Sequence, residues 1–292
     1  MKILISKLPK SGWWNSGIPN YKDNPAMKKG VVPDFNTLNM EREHLIKVLR
    51  LEKYEVLEIE FPKELDSSDP KHDFIFVRDQ FISDINNTVV ILRAGEKLRR
   101  IENIVMKKIL KKYNYNIIEM PNLKGMKADG GEFYFCNKES ILFSGVQRNT
   151  KLGIDFVSKS IKAKELIILN GKGFHLDTFF APVLNESNIL CAVIACCSVL
   201  TNQSQKLLKS FCYDRKIPLF DIPEDDAIGT KKKVGSFAVN SLSLPGLLIG
   251  PSKFSDPEID SKLKDLGVKR IISPASQYQL SGGSIHCITN QL

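Results

Sequence analysis

The order of predicted strands and helices repeats along most of the chain, and this repetition constrains the fold more than any other feature. From Asp73 onward, four successive units each read as two strands, a helix and a third strand, and each spans roughly 40–60 residues, a size typical of repeat units. The opening strand at Lys2–Leu8 and a C-terminal strand around Cys287 close a fifth unit. The sequence therefore predicts an α/β fold, a five-bladed pseudo-symmetric propeller built from ββαβ units.

The bounds of the predicted elements follow from apolar runs that end at turn residues. Each unit is given in the order strand, strand, helix, strand. The first is Phe74–Ser83, Thr88–Leu92, Leu98–Lys111 and Asn116–Glu119, and the second is Glu132–Cys136, Ser140–Phe143, Leu152–Ile161 and Glu165–Leu169. The third is Phe174–Phe180, Asn188–Ile194, Gln203–Tyr213 and Pro218–Asp221, and the fourth is Phe237–Leu242, Gly246–Ile249, Pro257–Leu266 and Arg270–Ile272. Ahead of them, Asn39 is predicted to cap a helix that leads to a strand at Glu55–Phe61. A doubly wound sheet is the alternative fold.

The connections between these elements bear on domain organisation. The polar loop Pro9–Asn36 is unusually long, and its length predicts a functional lid. No stretch rich in Gly, Ser or Pro is long enough to separate two domains. Residues 1–292 are therefore expected to form one domain.

Charge and cysteine content restrict the function classes. The 292 residues carry a formal net charge of +9, but no aromatic residues interleave with the dense runs at Lys107–Lys112 and Lys231–Lys233, as a nucleic-acid stacking surface would require. The longest apolar run, Ile189–Val199, is too short to cross a bilayer. Six cysteines without regular spacing predict reduced thiols. We therefore expect a cytoplasmic protein with neither nucleic acid nor membrane as partner.

Polar residues fall at corresponding places in three successive units. They lie in the stretches Phe76-Val-Arg-Asp79, Ala128-Asp129-Gly-Gly-Glu132 and Gly173-Phe-His175-Leu-Asp177. Because equivalent positions converge on the axis of a radial fold, these residues and Cys287 are expected to share one central cavity. Carboxylates, an imidazole and a thiol together indicate either a metal site or a pocket for a delocalised cation beside a nucleophile, and the spacing leaves both open.

Cys287 lies in a short C-terminal stretch that begins with two glycines, Gly282 and Gly283. Adjacent glycines allow a sharp turn and the close approach of another chain segment or a ligand. If the stretch is a strand, His286 points away from Cys287 and cannot act as the base for its thiol. Similarly, His175 and Asp177 lie on one face if their stretch is a strand. Taken alone, a cysteine such as Cys287 is more typical of a small buried apolar residue.

These motifs, in this order, resemble the signature of the guanidine-modifying enzymes, the superfamily of pentein fold that contains arginine deiminase, agmatine deiminase, dimethylarginine dimethylaminohydrolase and the amidinotransferases. The resemblance covers the chain from about Asp73 to its end. It rests on Phe-Val-Arg-Asp79, Asp129-Gly-Gly, Gly-Val-Gln-Arg148-Asn-Thr, His175-Leu-Asp177-Thr and Gly-Gly-Ser-Ile-His-Cys287. The fold of that superfamily is a five-bladed α/β propeller of ββαβ units, as the repeat already predicts.

The resemblance implies roles for the matching residues. Cys287 corresponds to the nucleophile, His175 to the general acid and base, and Asp129 to the acidic partner of the histidine. Asp79 and Asp177 correspond to the carboxylates that bind the guanidinium nitrogens. Basic residues complete the set, with Arg148 as the anchor for a substrate carboxylate and one of Arg99 and Arg100 as a second anchor.

The implied activity is cysteine-dependent hydrolysis of a guanidino group on arginine or a related guanidino acid, through a covalent Cys-amidino intermediate. The compact length is similar to dimethylarginine dimethylaminohydrolase, whereas Asp177 is typical of the deiminases and amidinotransferases. Amidino transfer to an amine is therefore an alternative, and a metal-dependent hydrolase using His175, Asp177 and Asp129, or a non-enzymatic binding module, are alternatives of other classes. No cofactor is indicated. The sequence leaves a homodimer open.

Overall fold

The computed structural model describes residues 1–12, 31–67, 70–230 and 233–292. Most of the predicted lid over Pro9–Asn36 lies outside these residues. The first helix, α1 (Phe35–Leu51), starts earlier than predicted: its N-cap is Asp34, whose side chain accepts a hydrogen bond from the Thr37 N–H at 2.8 Å. The prediction that Asn39 caps this helix was wrong, because Asp34 satisfies the free N–H groups one turn earlier.

The described residues form five sheets of three strands each. In every sheet the middle strand runs antiparallel to the first strand of its unit and parallel to the third. The strands are β1 (Lys2–Ser6), β2 (Glu55–Ile59), β3 (Phe81–Ser83), β4 (Thr88–Ile91), β5 (Asn116–Glu119), β6 (Phe133–Cys136), β7 (Ile141–Gly145), β8 (Glu165–Leu169), β9 (Phe180–Leu184), β10 (Leu190–Ala195), β11 (Leu219–Asp221), β12 (Leu242–Leu244), β13 (Leu247–Gly250), β14 (Lys269–Ile272) and β15 (Asn290–Gln291).

One helix connects the middle strand to the third strand of each unit. These helices are α1, α2 (Arg100–Leu110), α3 (Lys151–Ser160), α4 (Asn202–Asp214) and α5 (Glu258–Asp265), and the short α6 (Ser276–Gln279) precedes the last strand. Each of the five long helices is amphipathic and buries one face; in α4, for example, Leu208 and Phe211 are buried while Leu207 is exposed. The predicted five ββαβ units are confirmed.

The fifth unit is assembled from both ends of the chain. The C-terminal β15 pairs with the N-terminal β1, and reciprocal backbone hydrogen bonds join Lys2 to Leu292 at 2.8 and 2.9 Å. The first strands of the five units (β15, β3, β6, β9 and β12) all contribute residues to one axial cavity. The sheets are therefore arranged around a common axis, with these strands innermost.

The innermost strands are shorter than predicted. The predicted strand Phe74–Ser83 is two 3-10 helices (His72–Ile75 and Val77–Gln80) followed by β3, and the predicted strand Phe174–Phe180 contains a 3-10 helix at Leu176–Thr178. The segments 237–241 and 284–289 are also turns, not strands. The strand assignments were wrong there because backbone N–H groups bond to buried side chains: the Leu176 N–H, for example, donates to Glu132 Oε2 at 2.8 Å.

Candidate active site

One segment from each unit, immediately before its innermost strand, contributes to a single cluster of polar side chains. The segments carry Asp79, Asp129, His175 with Asp177, Asn240, and Cys287. A pocket of ≈ 550 Å³, mouth included, opens at this end of the axis. Five of the predicted residues line it, namely Asp79, Arg99, Arg148, His175 and Cys287.

The imidazole of His175 lies between two carboxylates. Its Nε2 is 3.2 Å from Asp129 Oδ2, and its Nδ1 is 3.6 Å from Asp79 Oδ1. Burial opposes a charged imidazole, but the charge of Asp79 and the hydrogen bond to Asp129 outweigh it and raise the pKa of His175 to about 9. The ring is therefore an imidazolium at neutral pH, which is the form that donates protons.

Asp129 is the fixed partner of this imidazolium. Its Oδ1 accepts a hydrogen bond from the Gly95 N–H at 2.7 Å, and its own N–H donates to Asn149 Oδ1 at 2.8 Å. Burial alone would raise the pKa of Asp129, but the hydrogen bond and charge of His175 lower it to about 2. Asp129 therefore remains ionised and holds the ring in place.

The thiol of Cys287 is buried beside an amide and a carboxyl group. Asn240 Nδ2 donates to the sulfur at 3.2 Å, and the sulfur lies 3.3 Å from Asp177 Oδ2. Burial and the negative charges of Asp177 and Asp79 raise the pKa of Cys287 well above its usual value. The sulfur is therefore a thiol at neutral pH, and a positive charge in the pocket would favour the thiolate.

Asp177 is fully buried behind Cys287 rather than in the lining of the pocket. Its Oδ2 is 2.8 Å from His286 Nδ1, whose ring stacks on Tyr134 with centroids 4.3 Å apart. Its Oδ1 has no hydrogen-bond partner among the described residues. Burial raises the pKa of Asp177 to about 7, with the charge of Asp79 adding to the effect and that of His175 opposing it.

Two expectations that rested on strand geometry were wrong. His175 and Asp177 do not form a pair on one face, because the backbone enters a 3-10 helix between them and sends His175 to Asp129 and Asp177 to Cys287. Residues 284–289 form turns, so the strand from which the orientation of His286 was predicted does not exist. His286 contacts the same Asp177 oxygen that lies beside the sulfur.

The two candidate arginine anchors are separated. Arg99 Nη1 donates to Asp79 Oδ2 at 2.6 Å, and its remaining nitrogens bond to Glu102 and to the Asp73 carbonyl. Arg100 does not line the pocket; its Nε donates to the Ala94 carbonyl at 3.1 Å in a neighbouring groove. Arg99 therefore orients Asp79, and its hydrogen-bonding groups are largely engaged.

Arg148 lies at the wall of the pocket, with Nη1 3.7 Å from Asp129 Oδ2. Its backbone N–H donates to Glu132 Oε1 at 2.7 Å. The other oxygen of this fully buried carboxyl group accepts from Leu176, so Glu132 joins the segment of Arg148 to that of His175. The guanidinium of Arg148 is thereby positioned beside the imidazole.

Sequence reasoning missed Asn240 and Glu132. Asn240 donates to the Asp177 carbonyl at 3.0 Å as well as to Cys287, and its Oδ1 accepts from the His286 N–H at 3.1 Å. A signal was available, because Asn240 stands just before an innermost strand, as the predicted polar residues do. Glu132 lies in the stretch Ala128-Asp129-Gly-Gly-Glu132, where the sequence pattern alone assigns it no role.

Glycines allow these segments to approach one another. A Cβ on Gly131 would lie 2.6 Å from His175 Nδ1 and 3.0 Å from Asp79 Oδ1, and a Cβ on Gly283 would lie 2.3 Å from the ring of Phe76. The predicted close approach at the C-terminal glycines is confirmed at Gly283.

The methyl group added in Gly131→Ala would push the side chains of His175 and Asp79 apart. Because a misplacement of about 1 Å can cost about 100-fold in rate, we expect kcat/KM to fall by about that factor. Steady-state kinetics on the purified variant measure the loss, and far-UV circular dichroism verifies the fold. A folded Gly131→Ala protein with wild-type kinetics would show that the spacing of these two side chains is irrelevant.

Solved structures of similar fold superpose on nearly the whole chain. AgrE in complex with ornithine and NAD⁺ superposes with a TM-score of 0.79 and 20% identity over 99% of this chain and 39% of that one. The N-terminal domain of ArgZ, an arginine dihydrolase from the ornithine–ammonia cycle in cyanobacteria, bound to its substrate, superposes with a TM-score of 0.78 and 19% identity over 99% of this chain and 96% of that one. DDAH from Pseudomonas aeruginosa with citrulline superposes with a TM-score of 0.73 and 15% identity over 100% of this chain and 98% of that one.

The chain has the pentein fold. The fold predicted from the ββαβ repeat and from the motif resemblance is confirmed. No family model matches the chain. The chain spans about two fifths of AgrE, so the pentein fold shared with that protein concerns one part of it.

The arrangement of possible metal ligands bears on the metal-dependent hydrolase alternative. Among the described residues, no three His, Cys, Asp or Glu side chains are grouped so that they could hold a metal ion. The proposed ligands are divided, since Asp177 contacts Cys287 whereas His175 contacts Asp129. No helix in the described part of the chain combines the length and apolar character needed to span a bilayer.

Proposed function

We propose that this pentein is a cysteine-dependent hydrolase that cleaves a C–N bond in the guanidino group of arginine or a related guanidino acid. The observation that carries the proposal is a single pocket lined by the thiol of Cys287, the imidazolium of His175 and the carboxylate of Asp79. Similar folds have been solved with arginine, ornithine and citrulline, and one ArgZ domain is covalently bound to a reaction intermediate.

The binding step uses the two carboxylates. Asp79 is at the pocket wall, and Asp177 Oδ1 is a buried oxygen without a partner among the described residues. A guanidinium is planar and presents N–H donors along its edges, so it can bond to Asp79 at the wall, while Asp177 acts on it through its charge from behind Cys287. Its positive charge favours ionised Asp177, whose pKa in the ligand-free protein is about 7.

The nucleophile is activated by the same charge. A guanidinium beside Cys287 lowers the free energy of the thiolate, and Asp177 Oδ2, 3.3 Å from the sulfur, is placed to accept the thiol proton. The sulfur then forms a bond to the guanidino carbon. His175 donates its proton to the departing nitrogen as the C–N bond breaks, leaving a Cys-amidino thioether and a neutral amine or ammonia.

The second half of the reaction reverses the role of the imidazole. Neutral His175 takes one proton from an incoming water, whose oxygen attacks the amidino carbon to form a tetrahedral adduct. The C–S bond then breaks, the departing sulfur regains its proton from Asp177, and the hydroxyl proton of the adduct passes to solvent as the ureido carbonyl forms. Asp129 stabilises the imidazolium that forms again, because its pKa of about 2 keeps it ionised throughout. An amine in place of water would give amidino transfer.

The direct test is to incubate the protein with arginine, dimethylarginine or agmatine, and to assay ureido product and released ammonia or amine. We expect ureido product from at least one carboxylate-bearing guanidino substrate in the absence of any added amine. Product that forms only when an amine acceptor is supplied would instead establish the amidinotransferase alternative.

Arg148→Ala is expected to raise KM for arginine at least about tenfold, because a charge-assisted hydrogen bond to the substrate carboxylate is lost. The KM for agmatine, which has no carboxylate, should change much less. Arg100→Ala is the matched control, since this neighbouring arginine lies outside the pocket. Equal effects of Arg148→Ala on both substrates would remove Arg148 from the carboxylate subsite.

Two further expectations from the sequence are retained as part of this proposal. Pairing of β15 with β1 supports one catalytic domain over residues 1–292, because the two ends belong to the same unit. All six cysteines carry free thiols, which supports a cytoplasmic location.

A further inference from the structure

A second cavity lies on the axis, at the hairpin ends of the innermost strands. It measures ≈ 630 Å³, mouth included, and none of its lining residues also lines the pocket that contains Cys287. Its polar lining includes Arg78, Tyr134 and Ser243, whose side chains come from three different units. Arg78 and its neighbour Asp79 therefore serve opposite ends of the axis.

Each of these three residues is at least nine-tenths buried, with exposed fractions of 6%, 6% and 5%. Arg78 Nη2, Tyr134 OH and Ser243 Oγ have no hydrogen-bond partner among the described residues. Buried polar atoms are rarely left unpaired, since each costs the free energy of its lost hydration. The three residues line one cavity, so a ligand there that accepts hydrogen bonds would offer these buried atoms a partner.

The positive charge of Arg78 indicates that the ligand is an anion. Its Nε donates to the His286 carbonyl at 3.3 Å and its Nη1 to Asn290 Oδ1 at 3.0 Å, and both acceptors are neutral. No carboxylate of a described residue lies within ion-pair distance of it, and no Asp or Glu lines the cavity. Burial lowers the pKa of Arg78 to about 10, so it is still charged at neutral pH. The charges of Asp177 and Asp79 favour the charged guanidinium from beyond ion-pair distance, but a buried charge that no carboxylate of a described residue contacts is unfavourable.

We infer that this axial cavity binds a small inorganic monoanion of the chloride class, held by Arg78, Tyr134 and Ser243. The three groups offer one charged N–H and two O–H donors, and the lining around them combines neutral polar side chains with the apolar Phe81, Phe133 and Pro182. Such a site suits a compact anion that accepts several hydrogen bonds, and it excludes cations by charge. This is a separate site from the proposed substrate pocket.

The anion would act on the segment that carries the nucleophile. The Arg78 N–H donates to the Cys287 carbonyl at 3.1 Å, and its side chain bonds to the adjacent His286 carbonyl. An anion that neutralises Arg78 therefore stabilises the turn 284–289 in the conformation that directs Cys287 into the other pocket.

Bromide provides the structural test. Crystals grown in sodium bromide, with diffraction recorded at the bromine absorption edge, should show an anomalous peak within hydrogen-bonding distance of Arg78 Nη2. Density at that place without anomalous signal, which is the signature of water, would overturn the inference.

A solution measurement tests the same site without a crystal. At constant ionic strength, with gluconate replacing chloride, we expect the unfolding midpoint of the wild type to rise with chloride and to saturate. Tyr134→Phe and Ser243→Ala, which preserve shape, should each weaken the apparent chloride affinity by about tenfold, the cost of one hydrogen bond. Tyr113→Phe, at a tyrosine outside the cavity, should behave as the wild type. A chloride response that is absent, or identical in wild type and Tyr134→Phe, would refute the site.

Discussion

Cys287→Ser is expected to lower kcat with a guanidino substrate by at least about 1000-fold, because a hydroxyl ionises far less readily than a thiol and no covalent intermediate forms. The side chain is buried and nearly isosteric, so the midpoint of thermal unfolding should change little. Ureido product formation at saturating substrate measures the effect. Mass spectrometry of wild type quenched during turnover should show an amidino adduct on Cys287 that the variant lacks.

Cys191→Ser is the matched control, since Cys191 lies on β10, outside the pocket. It should retain wild-type kcat and should still form the adduct. If Cys287→Ser turned over substrate within tenfold of the wild type, the covalent mechanism would be wrong, whatever the substrate.

His175→Asn is expected to lower kcat by about 10²–10⁴-fold, the usual contribution of general acid and base catalysis. The variant removes the proton donor for the leaving nitrogen and the base for water, while asparagine still fills part of the space. The matched control is His44→Asn, at an exposed histidine on α1 that hydrogen-bonds to Ser273 and lies outside the pocket. His44→Asn should leave kcat unchanged.

The pH profile separates the chemical role of His175 from a structural one. Because the pKa of His175 is raised to about 9, the proton-donating form is present below that pH and is lost as pH rises through it. The wild-type kcat/KM should therefore fall on the alkaline side near pH 9. The residual activity of His175→Asn should lack this alkaline decrease. An unchanged alkaline limb in the variant would assign the decrease to another group.

The outer elements of each unit could be predicted closely from sequence. The strands Asn116–Glu119 and Glu165–Leu169 have their predicted bounds, and the predicted helices α2 to α5 differ from the observed ones by two residues at most at either end. These elements depend on local signals: a helix buries one stripe against its own sheet, and a middle or outer strand pairs with a neighbour close in sequence. Local pattern is sufficient for them.

The segments that form the site could not be predicted in the same way. Apolar residues such as Phe74, Phe76 and Phe179 give these segments the composition of strands, yet their backbones are 3-10 helices or turns. The reason is non-local, because the Gly131 N–H donates to Asp79 from another unit at 3.1 Å and so cannot extend a sheet. Hydrogen-bond partners from another unit cannot be predicted from sequence periodicity.

The choice between adjacent arginines illustrates the same limit. Arg99 and Arg100 are equivalent by pattern, but α2 begins at Arg100 and the turn before it directs Arg99 toward Asp79. Residues 284–289 were likewise predicted as a strand, although they form turns. The motif resemblance compensated for this limit, because it selected residues by order along the chain and did not require the backbone to be correct.

The pairing of β15 with β1 has a consequence for how the proposed site assembles. Cys287 stands three residues ahead of β15, so the turn that carries its thiol is fixed only once β15 has docked on β1, a strand almost 290 residues away in sequence. Folding of the other four units alone therefore leaves the sulfur without a defined position beside Asp177 and Asn240.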